Sequence, residues 1–247
     1  LHGVMQKVSY KLKGILNGID YDINDPSNDP NIPHGFTSAE LQGKIQNKLD
    51  LQKELGLEVR EDVPLFGIIS RLTDQKGFDL IAERIEELLQ NDLQLVVLGT
   101  GERRYEDMFR YFSFKYPHKV SANITYNGTL AQKIYAATDF FLMPSQFEPC
   151  GLSQLMALRY GSVPIVRETG GLKDTVMPYN KFTGEGIGFT FSNYDSYDML
   201  QAVYRALEAY QDKNNFNDII TQGMGMDYSW TSSALLYRQL FEDILKQ

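Results

Sequence analysis

The chain predicts an α/β protein on a doubly wound, parallel Rossmann-like sheet, followed by C-terminal helices. Three observations carry that expectation. Short apolar runs too brief for helices recur between residues 64 and 192. Stretches with helical periodicity separate them, and glycine-bearing or charged turns follow most of the runs, which is where a parallel sheet presents its ligand loops.

The elements follow in order. Residues 1–60 carry few core signals: Asn17-Gly18-Ile19-Asp20 reads as a turn, and Asp22 to Gly35, with three prolines, as an extended loop or linker. A helix opens near Thr37, with Ser38 as its cap and Leu41, Ile45, Leu49, Leu51 and Leu55 as its apolar face. Leu65 to Ile69 is the first buried strand, and Phe78 to Leu89 a helix through Leu80, Ile81, Ile85, Leu88 and Leu89. Leu93 to Leu98 is the second strand, ending in Gly99-Thr100-Gly101-Glu102 and feeding a helix through Met108 and Phe112. Lys119 to Tyr126 is the third strand and Leu130 to Ala137 a short helix. Asp139 to Met143 opens the most telling stretch, with a fourth strand over Phe140 to Met143 and a polar turn between Pro144 and Pro149. Leu152, Leu155, Met156 and Leu158 then recur at helical spacing, so a helix opens near Gly151 and stops at Gly161. Val163 to Val166 and Gly188 to Phe191 supply two more strands, with a helix over Gly171 to Val176 between them. From Asp195 the tail is helical, with one stripe in Met199, Val203 and Leu207 and another in Trp230, Leu235, Leu236, Leu240 and Ile244. The organisation expected is a hinge and first helix over 1–60, a Rossmann-like core over 61–192, and terminal helices over 193–247.

Composition bounds the function. A formal charge of −8 argues against nucleic acid or an anionic membrane as partner, since clustered Lys and Arg dominate such contacts. No apolar run approaches the ~18 residues of a transmembrane helix. The single cysteine, Cys150, rules out an intrachain disulfide and a cysteine zinc site and fits a reducing, cytoplasmic compartment. The histidines, His2, His34 and His118, show no ligand spacing, so no metal is expected. The chain starts at Leu1 with nothing like a signal peptide, which suggests a piece of a longer protein.

The loops after the strands are where chemistry belongs. After the first strand, Arg71 and Lys76 stand across a turn, within reach of one diphosphate; alone, they also read as two solvated cations. After the second, Gly99-Thr100-Gly101 allows close backbone approach to a ligand but lacks the rest of a dinucleotide fingerprint. After the third, Tyr126 suits stacking on a flat base, or plain packing. After the fourth, a helix start at Gly151 and Leu152 offers unpaired amides to an anion, and Glu148 at its rim reads as cap or site alike. After the fifth, Arg167-Glu168-Thr169-Gly170-Gly171 is another anion-competent turn. Together they describe one mouth suited to a nucleotide diphosphate carrying a neutral group such as a sugar.

Ser-Arg-Leu-Thr-Asp-Gln-Lys-Gly at 70–77, Phe-Glu-Pro-Cys-Gly-Leu at 147–152 and Thr-Gly-Gly-Leu-Lys-Asp-Thr-Val at 169–176 resemble the bacterial glycogen synthases and plant starch synthases. Asn-Gly-Ile-Asp at 17–20 and Met-Asp-Tyr-Ser-Trp at 226–230 are similar to that family's hinge and terminal-helix segments. The resemblance implies the second of two facing Rossmann-like domains, the GT-B arrangement. The N-terminal acceptor domain, with its Lys-x-Gly-Gly-Leu loop, lies outside this sequence. It further implies transfer of glucose from ADP-glucose to the non-reducing 4-hydroxyl of an α-1,4-glucan with retention, no cofactor beyond the donor, and little activity from this stretch alone. By position, Arg71 and Lys76 match the pair that neutralises the ADP phosphates, with Gln75 nearby. The amides of Gly151 and Leu152 match the helix start that holds the distal phosphate, with Cys150 contributing backbone. Ser153 stands where many members have Thr. Glu148 matches the carboxylate that touches the donor glucose, Tyr126 the aromatic on adenine, and Asn17 a donor-sugar contact; Thr169 and Gly170 match the turn beside it. A second carboxylate about 5 Å away, which double displacement needs, is marked by no motif. A same-face attack, in which the departing phosphate helps deprotonate the acceptor, asks only for cations and amides around the leaving group. Other GT-B transferases that use UDP-sugars, whose related loop tends to read Glu-x-Phe-Gly, and a binding module without activity are the alternatives.

Overall fold

The computed structural model describes residues 2–246. In them β1 (Leu65–Ile69), β2 (Gln94–Leu98), β3 (Val120–Asn123), β4 (Phe140–Met143), β5 (Val163–Arg167) and β6 (Phe189–Phe191) form one parallel sheet in the order β3-β2-β1-β4-β5-β6. The helices are α1 (His2–Lys7), α2 (Gln42–Glu54), α3 (Phe78–Gln90), α4 (Arg103–Lys115), α5 (Gly128–Ala137), α6 (Ser153–Arg159), α7 (Gly170–Thr175), α8 (Ser196–Tyr210), α9 (Lys213–Met224) and α10 (Trp230–Leu245). The central strands β1 and β4 are apolar throughout because both faces are covered, whereas the edge strand β3 carries Ser121 and Asn123. Phe66, Ile68, Leu95 and Val97 point into the core shared with α3, α4 and α8, whereas Leu65, Val96 and Leu98 meet Leu51 of α2 and Leu130 and Ile134 of α5. This is the doubly wound sheet expected, and its strand order reverses direction between β1 and β4, opening a crevice at their carboxyl ends.

The structure departs from the sequence reading at several elements. No helix starts at Thr37: Thr37 and Glu40 exchange backbone hydrogen bonds in a tight turn, and α2 begins at Gln42, with Leu41 rather than Ser38 as its uncapped N-cap. The face α2 buries is Lys44, Asn47, Lys48, Leu51 and Gln52; of the expected stripe only Leu51 is buried, and Leu41, Ile45, Leu49 and Leu55 are half-buried. Polar residues can turn inward there because each finds partners. Lys44 Nζ donates to the carbonyls of Ala136, Thr138 and Tyr160 at 2.8–3.0 Å, capping the C-termini of α5 and α6. Lys48 Nζ donates to Asp139 at 2.7 Å, to Glu61 O and to Tyr210 Oη.

Residues 22–35 are a compact run of turns rather than extended coil. Tyr160 Oη donates to buried Asp29 at 2.6 Å, and Arg159 Nε donates to Asn24 O at 3.1 Å. The third strand stops at Asn123, leaving Tyr126 in the loop ahead of the Asn127 cap of α5. In the tail, helical from Asp195 as expected, α9 buries Phe216, Ile219, Ile220 and Met224, a face that neither expected stripe included. The stripe on α10 does the opposite, with Leu235 and Ile244 more than half exposed.

Candidate active site

The site is built at the β1/β4 switch point. Beyond β1, a 3-10 turn over Asp74–Lys76 delivers the Lys76 side chain towards β4, and Gly77 opens α3 at φ +78°. Only glycine serves here: besides the left-handed backbone, a Cβ would stand 2.1 Å from Pro144 O of the facing loop. The turn is braced from behind. Arg104 Nη2 donates to both Asp74 carboxylate oxygens at 2.6 Å, and Tyr105 Oη donates to the same carboxylate. These two contacts, the tyrosine's first, hold the Asp74 carboxyl below its ordinary range. From the far side Tyr194 Oη donates to Asp74 O at 3.0 Å and to Asp79 at 2.5 Å.

Beyond β4 the loop from Pro144 to Leu152 is held by its neighbours. Gln146 N donates to Gln75 O at 2.9 Å, and the Arg167 guanidinium donates to Ser145 O and Gln146 O at 3.0 and 2.5 Å. Arg167 is therefore spent on the loop backbone. Glu168 is spent too, since its carboxylate accepts from Thr190 and Ser192 hydroxyls, which hold it below the usual carboxylate range.

Glu148 does not cap α6, whose N-cap is Leu152 without a side-chain bond. Its carboxylate instead meets Lys76 Nζ at 2.5 Å and Ser145 Oγ at 3.5 Å. Ser153 lines a small cavity of ≈ 30 Å³ together with Ser70, Lys76 and Ser145. Arg71 is exposed on the same turn, and the arginine ion pairs among the described residues all involve other arginines. An exposed guanidinium on the turn that carries Lys76 suits an anion that can take the lysine as well.

The turn into α7 closes the back of the loop. Gly171 N donates to Glu148 O at 3.0 Å and Pro149 O at 3.2 Å, and a Cβ at Gly171 would lie 1.8 Å from Cys150 O. Thr169 is the N-cap of α7 and makes no side-chain cap, and Gly170 is exposed at its start. Tyr126 is 94% exposed in its loop and Leu152 42% exposed beside the α6 start, both open to a ligand.

Arg71, Gln75, Lys76, Glu148, Cys150, Gly151, Leu152, Ser153, Thr169 and Gly170 thus stand on three adjoining loops. Among the described residues no side-chain hydrogen bond joins Asn17 or Tyr126 to them; Asn17 is exposed next to Gly18, which packs against the backbone of Ser229 and Trp230. Sequence reasoning missed Tyr194, Tyr105, Arg104 and Gln154, the braces behind the loops. None carries a motif, and only their partners identify them. Among the described residues no group of three or more His, Cys, Asp or Glu could hold a metal ion. No helix among the described residues is long and apolar enough to cross a membrane.

A wider cavity, ≈ 650 Å³, lies elsewhere, at the amino end of β4 between Lys44, Lys48, Asp139 and Tyr210. The donors of both lysines are already taken there, as described above. Size alone does not make it the site.

Comparison with known proteins bears on the family and the fold. Residues 53–222 match the family model for glycosyl transferases group 1. The chain is 55% identical over 246 residues to a glycogen synthase of Clostridium acetobutylicum and 56% identical over 245 residues to one of Clostridium novyi. Each match covers 99% of this chain but 52% and 51% of those proteins, so the chain spans about half the length of the curated relatives it matches. Among solved structures, the catalytic domain of starch synthase IV from Arabidopsis thaliana, bound to ADP and acarbose, superposes with a TM-score of 0.92. That match has 38% identity and covers all of this chain and 52% of that one.

Proposed function

Since this chain belongs to the glycosyl transferases group 1 family, we propose that it is the nucleotide-sugar half of a glycogen synthase, binding ADP-glucose for transfer to an α-1,4-glucan. The observation that carries the reading is the Lys76–Glu148 pair across the switch point, with Arg71 exposed on the turn that delivers Lys76. Its relatives supply the rest: glycogen synthases in sequence, and in structure a starch synthase bound to ADP. On this reading Arg71 and Lys76 take the diphosphate, with the backbone of Cys150, Gly151 and Leu152 and the side chain of Ser153 around its distal end. Tyr126 stacks on adenine, Gln75 lines the phosphates, and Thr169, Gly170 and Asn17 border the sugar.

Glu148 is the one carboxylate at the mouth. When the donor draws Lys76 to its phosphates, Glu148 is released to face the glucose and support positive charge at its anomeric carbon. The leaving ADP gathers negative charge, which Arg71, Lys76 and the amides meet, and its phosphate oxygen accepts the acceptor's proton on the same face. This division of labour uses no metal. The glucan is contributed with the remainder of the full-length protein, so the chain alone binds donor and transfers little; the compartment proposed is the cytoplasm.

Titration of the chain with ADP-glucose and with UDP-glucose tests the reading, and tighter binding of ADP-glucose is expected. In the full-length protein Glu148→Gln should collapse turnover with donor binding largely kept. Near-normal turnover, or robust glucan elongation by this chain alone, contradicts the roles assigned.

A further inference from the structure

The loop that carries Glu148 is held by a side chain that the chemistry above does not use. Gln154 is fully buried in the first turn of α6. Its Nε2 amide shares its N–H groups among Cys150 O at 3.1 Å, Gly151 O at 3.2 Å and Thr175 Oγ1 at 3.1 Å. Those acceptors belong to two elements, the turn before α6 and the last turn of α7. Thr175 Oγ1 in turn donates to Gly171 O at 2.6 Å, and Gly171 N donates back to Glu148 O and Pro149 O. Tyr228 Oη donates to Thr175 O at 2.6 Å, anchoring the same residue from the C-terminal segment.

The arrangement costs something, and the cost is informative. Gln154 Oε1 is buried without a partner, one of three such side-chain atoms among the described residues, together with Thr73 Oγ1 and Gln132 Oε1. An unsatisfied buried acceptor is unfavourable. Leucine would fill similar volume without that penalty, but it has no N–H. The donor end of the amide is what the site requires. Gly151 fits the same account: at φ +73° its Cα lies against the amide, and a Cβ there would be 2.3 Å from Gln154 Oε1.

We propose that Gln154, through Thr175, is a positioning residue that clamps the Cys150–Gly151 turn to α7, so that the α6 amides and Glu148 are pre-set for the donor diphosphate. The inference rests on the donor-site reading given above. It deepens that reading by naming what holds the phosphate turn in register, a role that touches no substrate atom. Pre-setting matters because each amide left to order at the moment of binding subtracts from affinity.

The test uses this chain as wild type and as Gln154→Leu, Thr175→Val and Thr175→Ser. Hydrogen exchange without ligand reads the clamp directly. Peptides over 147–153 and 169–172 should exchange about tenfold faster in Gln154→Leu and Thr175→Val, while Thr175→Ser, which keeps the hydroxyl, stays at wild type and the β1 and β2 peptides are unmoved in all. Titration with ADP and with adenosine reads the consequence: Gln154→Leu should bind ADP about tenfold more weakly and adenosine unchanged. Should Gln154→Leu not fold, Thr175→Val carries both measurements. Unchanged exchange overturns the clamp, and an equal loss for ADP and adenosine reduces Gln154 to a fold residue. If wild type binds no ADP the donor-site reading fails, while the exchange result still decides the clamp.

Discussion

The Lys76–Glu148 pair offers the sharpest test of how the site is poised. Glu148→Gln removes a carboxylate that Lys76 holds at 2.5 Å, with side-chain exposures of 18% for Lys76 and 11% for Glu148. Removing one partner of a fully buried pair costs about 3–5 kcal/mol, and exposed pairs are worth about 0.2–1 kcal/mol. The residual exposure discounts the buried figure, so either Glu148→Gln or Lys76→Met should lower unfolding free energy by roughly 2 kcal/mol. The double variant strands no charge and should recover about 1–2 kcal/mol relative to the sum of the singles. Urea unfolding of the four proteins measures this. Titrating the same four with ADP adds the functional half: Glu148→Gln frees Lys76 for phosphate and should bind ADP about 5–10-fold more tightly, whereas in the Lys76→Met background the same change should do much less. Additivity of the two changes within about 0.3 kcal/mol, or weaker ADP binding by Glu148→Gln, refutes the idea that the pair opens to admit the donor.

Burial pushes the Lys44 ammonium down to about 7, so between that pH and the lysine's ordinary range the unfolded chain binds more protons than the folded one. Folding stability should therefore rise with pH above about 7, in thermal unfolding read from pH 7 to 10, and Lys44→Met should flatten that rise while lowering stability at pH 7 because three carbonyls lose their donor. Gly77→Ala forces a left-handed alanine against Pro144 O and should cost about 2 kcal/mol or more by urea unfolding, with weaker ADP binding by calorimetry. Tyr160→Phe leaves Asp29 Oδ2 without its donor, while Oδ1 still accepts from Asn31, and should cost about 1–2 kcal/mol by urea unfolding, the measure of how firmly residues 22–35 are docked.

The strands were legible because a two-sided parallel sheet writes them as short apolar runs, and β1, β4 and β5 lie within a residue of where those runs fall. The loops were legible for a related reason: Arg71, Lys76 and Glu148 sit at strand ends where topology gathers them. What the sequence hid was anything decided by a distant partner. Lys44 and Lys48 look like solvated helix charges, and it takes the carbonyls of Ala136, Thr138, Tyr160 and Glu61, with the Asp139 carboxylate and Tyr210 Oη, to explain why they face inward. Gln154, Tyr194 and Arg104 act on the site through backbone or a second side chain, so no spacing marks them. The α10 stripe reads as core by period, yet Leu235, Leu236 and Ile244 stay exposed because periodicity says which residues share a face and not what covers it.

The strand order has a kinetic consequence as well. Most neighbouring pairs in the sheet join residues close in the chain, such as Leu95 with Val120 or Phe140 with Val163, whereas β1 meets β4 by pairing Phe66 with Phe140. Loop-closure entropy makes that central contact the slowest to form. During refolding two half-sheets should therefore gain protection first, and the seam between them, which brings Lys76 to Glu148, should close last. The pocket and the final cooperative step of folding are one event, and a ligand bridging the seam would slow unfolding more than it speeds folding.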